Sequence, residues 1–249
     1  MTPSPYPVPF KSAHLRANIV KVLLIIGAIA AAISLITDSL SIAFPPITEN
    51  EELGDNPAGF AIALVIFLLA VFELIVYLTT VVCFSVWLYR AYDNLRVFNR
   101  WTGLDYSPSL AVGSFFIPFA NLVIPYRAVR EVWQKSETPE ETMLALTSPP
   151  ASFPIWWMFW ILASIAGNIS MRLSLNDNVP HTTGAIVSIG SSALYLMAAV
   201  FAFFVVDAID RRQEDTAEKL QLGKFARPQP PPVDLGSAPV MNESSFSGQ

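Results

Sequence analysis

The stretch that decides the fold reads W-L-Y-R-A-Y-D-N-L from Trp87 to Leu95, then F-F-I-P-F-A-N-L-V-I-P-Y-R-A-V-R-E-V-W from Phe115 to Trp133. It packs tryptophan, arginine, asparagine, proline and glutamate against the end of a long apolar run. Prolines and amides at membrane depth are tolerated only where protein or water satisfies the freed backbone groups. The block therefore reads as a built site.

Outward from it the chain is apolar: 249 residues with 53% hydrophobic and 14% charged content, and a mean hydropathy of +0.48. That balance is an integral membrane protein's. The lipid bilayer is its first expected partner. A net charge of -5 argues against nucleic acid, which needs a basic face. A single cysteine, Cys83, excludes an intramolecular disulfide, and with only His14 and His181 there is no Cys/His metal constellation. No cofactor motif is present, and no G-x-S-x-G, Walker A, G-x-G-x-x-G or H-E-x-x-H occurs, so the expectation is a non-enzyme.

A hydrocarbon core of roughly 30 Å needs about 20 apolar helical residues. Four segments qualify, at about 19–37, 59–88, 153–171 and 184–206. The apolar run of the first continues past its small residues through Ile36, so it reads as a retained span rather than a signal peptide. With both termini cytoplasmic, 14 of the 15 Lys and Arg fall on the inner side and only Arg172 lies outside. The first outer loop then carries Asp38, Glu49, Glu51, Glu52 and Asp55 with no basic residue.

The same rule bears on the apolar segment 109–125, which has basic residues on both flanks. It is too short to cross twice, so it dips in and returns or lies along the interface. Pro118 and Pro125 favour a broken re-entrant turn, because each removes a donor and disrupts a continuous helix. Residues 126–136 follow as a surface helix, with Val129, Val132 and Trp133 on one face and Arg127, Arg130 and Glu131 more exposed. The expected fold is thus an all-α integral membrane protein of four transmembrane helices, with a re-entrant or interfacial broken helix between spans 2 and 3. A membrane domain, 15–223, is flanked by disordered proline-rich tails at 1–14 and 224–249. Asp207 to Leu222 extends the fourth span as a charged helix, with Arg211/Asp215 and Asp215/Lys219 at ion-pair spacing.

Several residues carry candidate chemistry. Trp87, Arg90, Ala91 and Asn94 recur at helical spacing. Arg90 can donate to carbonyls freed by Pro118 or Pro125, or to Glu131, pinning the turn; guanidinium and amide groups also suit a phosphate or carboxylate ligand. Asn121, between the two prolines, either caps the turn or lines a polar pathway. Glu73 is an acid at the centre of a span with no cationic residue at its depth. It either makes a neutral interhelical hydrogen bond, with Tyr77, Ser164, Asn168 or Tyr195 as candidates, or handles a proton or cation.

The block resembles a bacterial membrane family known as domain of unknown function 4328. The matching residues are Trp87, Tyr89, Arg90, Ala91, Asn94 and Leu95; then Phe116, Pro118, Asn121, Leu122 and Pro125; then Arg130, Glu131 and Trp133, and the resemblance covers roughly residues 15 to 210. It implies a multi-pass protein of the bacterial inner membrane and brings no activity, so no catalytic residue is carried over. Two functions follow as expectations. One is a non-enzymatic scaffold or accessory subunit that binds a protein partner at its cytoplasmic motif site. The alternative is a small channel or transporter that uses the re-entrant turn and Glu73.

Overall fold

The computed structural model describes residues 10–43, 57–98, 103–137, 148–176 and 179–223, and all its regular structure is helical. Four long helices are long and apolar enough to cross a membrane: α1 (His14–Ala43), α2 (Pro57–Phe98), α5 (Ser152–Ser174) and α6 (His181–Lys219). Each contains the span expected from sequence and overruns it, because the polar turns at either end continue the same hydrogen-bonded ladder. Two shorter helices, α3 (Pro108–Gly113) and α4 (Ile124–Gln134), stand between α2 and α5. The chain is a multi-pass membrane protein.

The four long helices sit in the order α2, α1, α6, α5: α1 packs along both α2 and α6, and α6 packs along α5. α2 and α5, the two outer members, make no comparable contact, which leaves a seam between them. Within the spans little side-chain surface is covered; in the most apolar stretch of α2 only 6% is buried. That is the expected state of lipid-facing helices, for which hydrocarbon is already a good solvent.

The packed core lies instead at one end of the bundle. Trp87, Tyr92, Phe98, Val132, Phe153 and Ile209 are among the largest fully buried side chains, and they come from α2, α4, α5 and α6. α1 joins them through Ala17 and Val20, and Ala13 just before it is buried in the same core. Phe10 is buried as well, 5.6 Å from the Phe98 ring, so part of the segment expected as an N-terminal tail belongs to the core. The remaining tail residues, 1–9 and 224–249, lie outside the described residues.

Segment 109–125 is broken next to Pro118, but not at Pro125. Ser107 caps α3, accepting from the Leu110 N–H at 3.1 Å, and Pro108 occupies its first turn. A 3-10 turn, Ser114–Phe116, follows, and the chain then reverses at Phe119. There φ is 63° and ψ is -44°, and the Ala120 N–H donates to the Pro118 carbonyl at 2.8 Å. This is a γ-turn of the positive-φ type, a conformation rare and strained for a residue with a Cβ. A second 3-10 turn, Ala120–Leu122, leads into α4, where Pro125 falls in the first turn and so starts the helix rather than breaking it.

Candidate functional site

The motif residues form a buried polar clamp between α2, α4 and α6. The phenol of Tyr92 donates to Glu131 Oε2, and Glu131 Oε1 accepts from the Asp105 N–H at 2.8 Å and from Lys135 Nζ at 2.5 Å. The Tyr106 N–H donates to Tyr92 Oη at 3.0 Å, and Lys135 Nζ also donates to the Gly103 carbonyl at 2.7 Å. Glu131 is therefore not the exposed residue its helix position implied; only 4% of it remains accessible. Its carboxylate ties the chain entering α3 to α4, and Lys135 supplies the countercharge that a buried anion requires.

A second polar knot joins α2 to α6. Asn94 Nδ2 donates to Gln213 Oε1 at 3.1 Å, while Gln213 Nε2 donates to the Ala91 carbonyl at 2.8 Å and to Ser136 Oγ at 3.0 Å. Thr216 Oγ1 donates to the Ser136 carbonyl at 2.9 Å. Beside it the Arg212 guanidinium lies 3.8 Å from the centre of the Trp133 ring and pairs with Glu137. Nothing in the sequence marked Gln213, Ser136 or Thr216, since a polar residue on an amphipathic helix normally faces water. Only their burial against Asn94 distinguishes them.

Arg90 does not pin the turn. It pairs with Asp93 at 3.1 Å, three residues along the same helix, where a shorter reach satisfies its charge. The carbonyl freed at the turn is met from α5 instead: Trp157 Nε1 donates to the Leu122 oxygen at 3.3 Å. Arg127 stays exposed on α4, as does Arg130, and neither has an ion pair among the described residues. Along α6, Arg211 takes Asp207 at 2.8 Å, a turn before the expected Asp215.

Glu73 sits in the α2–α5 seam. Ser34 of α1 donates to its Oε1, a partner absent from the four expected. Those four, Tyr77, Ser164, Asn168 and Tyr195, nonetheless line the same cavity of 720 Å³ as Glu73. A second cavity of 280 Å³ continues toward the motif end, where Phe115, Phe116 and Asn121 line it. Tyr77, Trp160, Ser164 and Tyr195 belong to both walls and form a waist between them. Asn121 caps neither α4 nor the 3-10 turn; its Oδ1 is buried on the wall of the lower cavity with no hydrogen-bond partner among the described residues. Pro118 stands exposed at the tip of the turn.

Among the described residues there is no group of His, Cys, Asp and Glu able to hold a metal ion. A family model described as "Domain of unknown function (DUF4328)" matches residues 51–211, more than half the chain, beginning after α1. No curated protein and no solved structure matches the chain.

Proposed function

The chain belongs to the DUF4328 family, and we propose that it is a small non-enzymatic channel or carrier of the bacterial cytoplasmic membrane with its pathway in the α2–α5 seam. The observation that carries this reading is the pair of adjoining cavities, which runs from Met171 near the outer end of α5 down to Asn121. At 720 Å³ the larger has the size of a ligand site. Its wall mixes small residues with hydroxyls, an amide and a carboxyl, which hydrocarbon would not select. The basic residues orient the protein with both termini and the motif end in the cytoplasm. The broken segment 109–125 then returns to the side it left, as a re-entrant floor to the seam.

In this reading the motif block is the hinge post of the pathway. The Tyr92–Glu131 and Asn94–Gln213 bonds hold α4 and the turn against α2 and α6, so that Asn121 and Phe115 close the seam from below. The scaffold reading draws its support from a different place. Arg127 and Arg130 are exposed cations on α4, suited to an acidic partner at the cytoplasmic face.

The deciding experiment reconstitutes the purified chain in liposomes and follows proton and cation flux under an imposed pH gradient. The carrier reading expects flux that Glu73→Gln abolishes while the variant's melting profile is preserved. Absence of any Glu73-dependent flux across a broad cation panel would remove it. Copurification of a defined partner that is lost in an Arg127→Ala/Arg130→Ala variant would then install the scaffold.

A further inference from the structure

Resting on the carrier reading, we infer that the seam binds a lipophilic organic cation, with its charge between Glu73 and the aromatic waist and its apolar part in the lower cavity.

Charge selects a cation. Among the described residues no Lys, Arg or His lines either cavity, and Glu73, on the larger, is the sole carboxyl of the two walls. Ser34 occupies Glu73 Oε1, while Oε2 makes no hydrogen bond among the described residues. An acidic group in a low-dielectric seam, with one oxygen uncommitted and no cation beside it among the described residues, is complemented by a bound cation.

The waist selects an organic cation over a metal ion. Tyr77 lies one helical turn from Glu73 on the same face of α2, and its ring centroid is 6.0 Å from that of Tyr195 on α6. Trp160 completes the ring of aromatics from α5. Aromatic faces beside a carboxylate recognise ammonium-type ions through the ring quadrupole. A hard inorganic cation asks instead for about six or more oxygen ligands gathered on one point; among the described residues the wall offers a single carboxyl with serine hydroxyls and an amide, and no group of His, Cys, Asp and Glu able to hold a metal ion.

The lower cavity supplies the complement to an apolar substituent. Phe84, Phe115, Phe116 and Trp156 line its 280 Å³. Access is lateral, because α2 and α5 make little contact along the seam. A lipophilic cation already dissolved in the bilayer reaches Glu73 by that side without crossing the motif-end core.

The groups facing Glu73 bring no competing charge among the described residues. α2 presents Tyr77, α6 presents Tyr195, α5 presents Ser164 and Asn168, and α1 presents Ser34. Asp38, one turn beyond Ser34, is engaged by Ser188 Oγ at 2.6 Å.

The test measures binding of tetraphenylphosphonium to the full chain in lipid nanodiscs. Glu73→Gln should weaken it about tenfold or more. Tyr195→Leu should weaken it while Tyr195→Phe, which keeps the ring, preserves it. Unchanged affinity in a folded Glu73→Gln protein overturns the inference. If the probe does not bind but liposomes still pass protons or alkali cations through Glu73, this inference falls and the carrier stands. If the probe binds in a Glu73-dependent way but no flux occurs, the cation site stands and the carrier falls.

Discussion

The Tyr92 phenol of α2 donates to the Glu131 carboxylate of α4, and both groups are buried. This bond connects a membrane-crossing helix to one that follows the broken turn, so the position of the seam's floor depends on it. Buried acceptors that lose a donor keep their desolvation cost, which makes the pair sensitive to a single oxygen atom.

Tyr92→Phe removes the donor to Glu131 and the acceptor for the Tyr106 N–H while keeping the ring in place. The expected cost is about 2–3 kcal/mol. A melting curve in mild detergent lowered by several degrees, with unchanged helix content by circular dichroism, is the outcome that fits. An unaltered curve contradicts the clamp.

Asn94 and Gln213 exchange a buried amide hydrogen bond across α2 and α6. Each single alanine variant should cost about 1–3 kcal/mol, and the double variant less than the sum, because one lost bond is counted twice. A double-mutant cycle with no coupling would separate the two residues.

Phe119 holds φ at 63° and is 86% exposed, so its ring contributes no interior packing that could offset backbone strain. Phe119→Gly should fold as well as the parent or gain up to about 1 kcal/mol. Phe119→Val should lose stability, since a β-branched residue is least tolerant of that conformation. The comparison of the two melting points checks the turn directly.

Ser164 sits at the waist and lines both cavities. Ser164→Trp should fill the passage, leaving the melting point within a few degrees of the parent but abolishing flux and tetraphenylphosphonium binding together. Loss of neither would disconnect the waist from function.

Sidedness is read by single cysteines after Cys83 is replaced. Asp105→Cys and Arg127→Cys should react with a membrane-impermeant maleimide only from the cytoplasm, and Arg172→Cys only from outside. Labelling of Arg127→Cys from the outer face would convert segment 109–125 into a crossing.

Much of the fold was legible because the transfer of apolar side chains into lipid is local and counts by length. The four spans, the break at Pro118 and the apolar face of α4 each announce themselves within one stretch of chain. The candidate site was legible only in outline. The helical pattern turns Glu131 outward, whereas the structure buries it, because its neighbours on α4 are charged and its partner Tyr92 is on another helix.

By itself, then, the sequence determined the four helices apolar enough to cross a membrane and the position of the break. The tertiary structure alone decided the pairings: Ser34 with Glu73 at a separation of 39 residues, and Asn94 with Gln213 at 119. Helical periodicity states which face a residue occupies, but not which helix will lie against that face. The order α2, α1, α6, α5 settles that choice, and by leaving α2 and α5 apart it turns an isolated acid into the wall of a cleft.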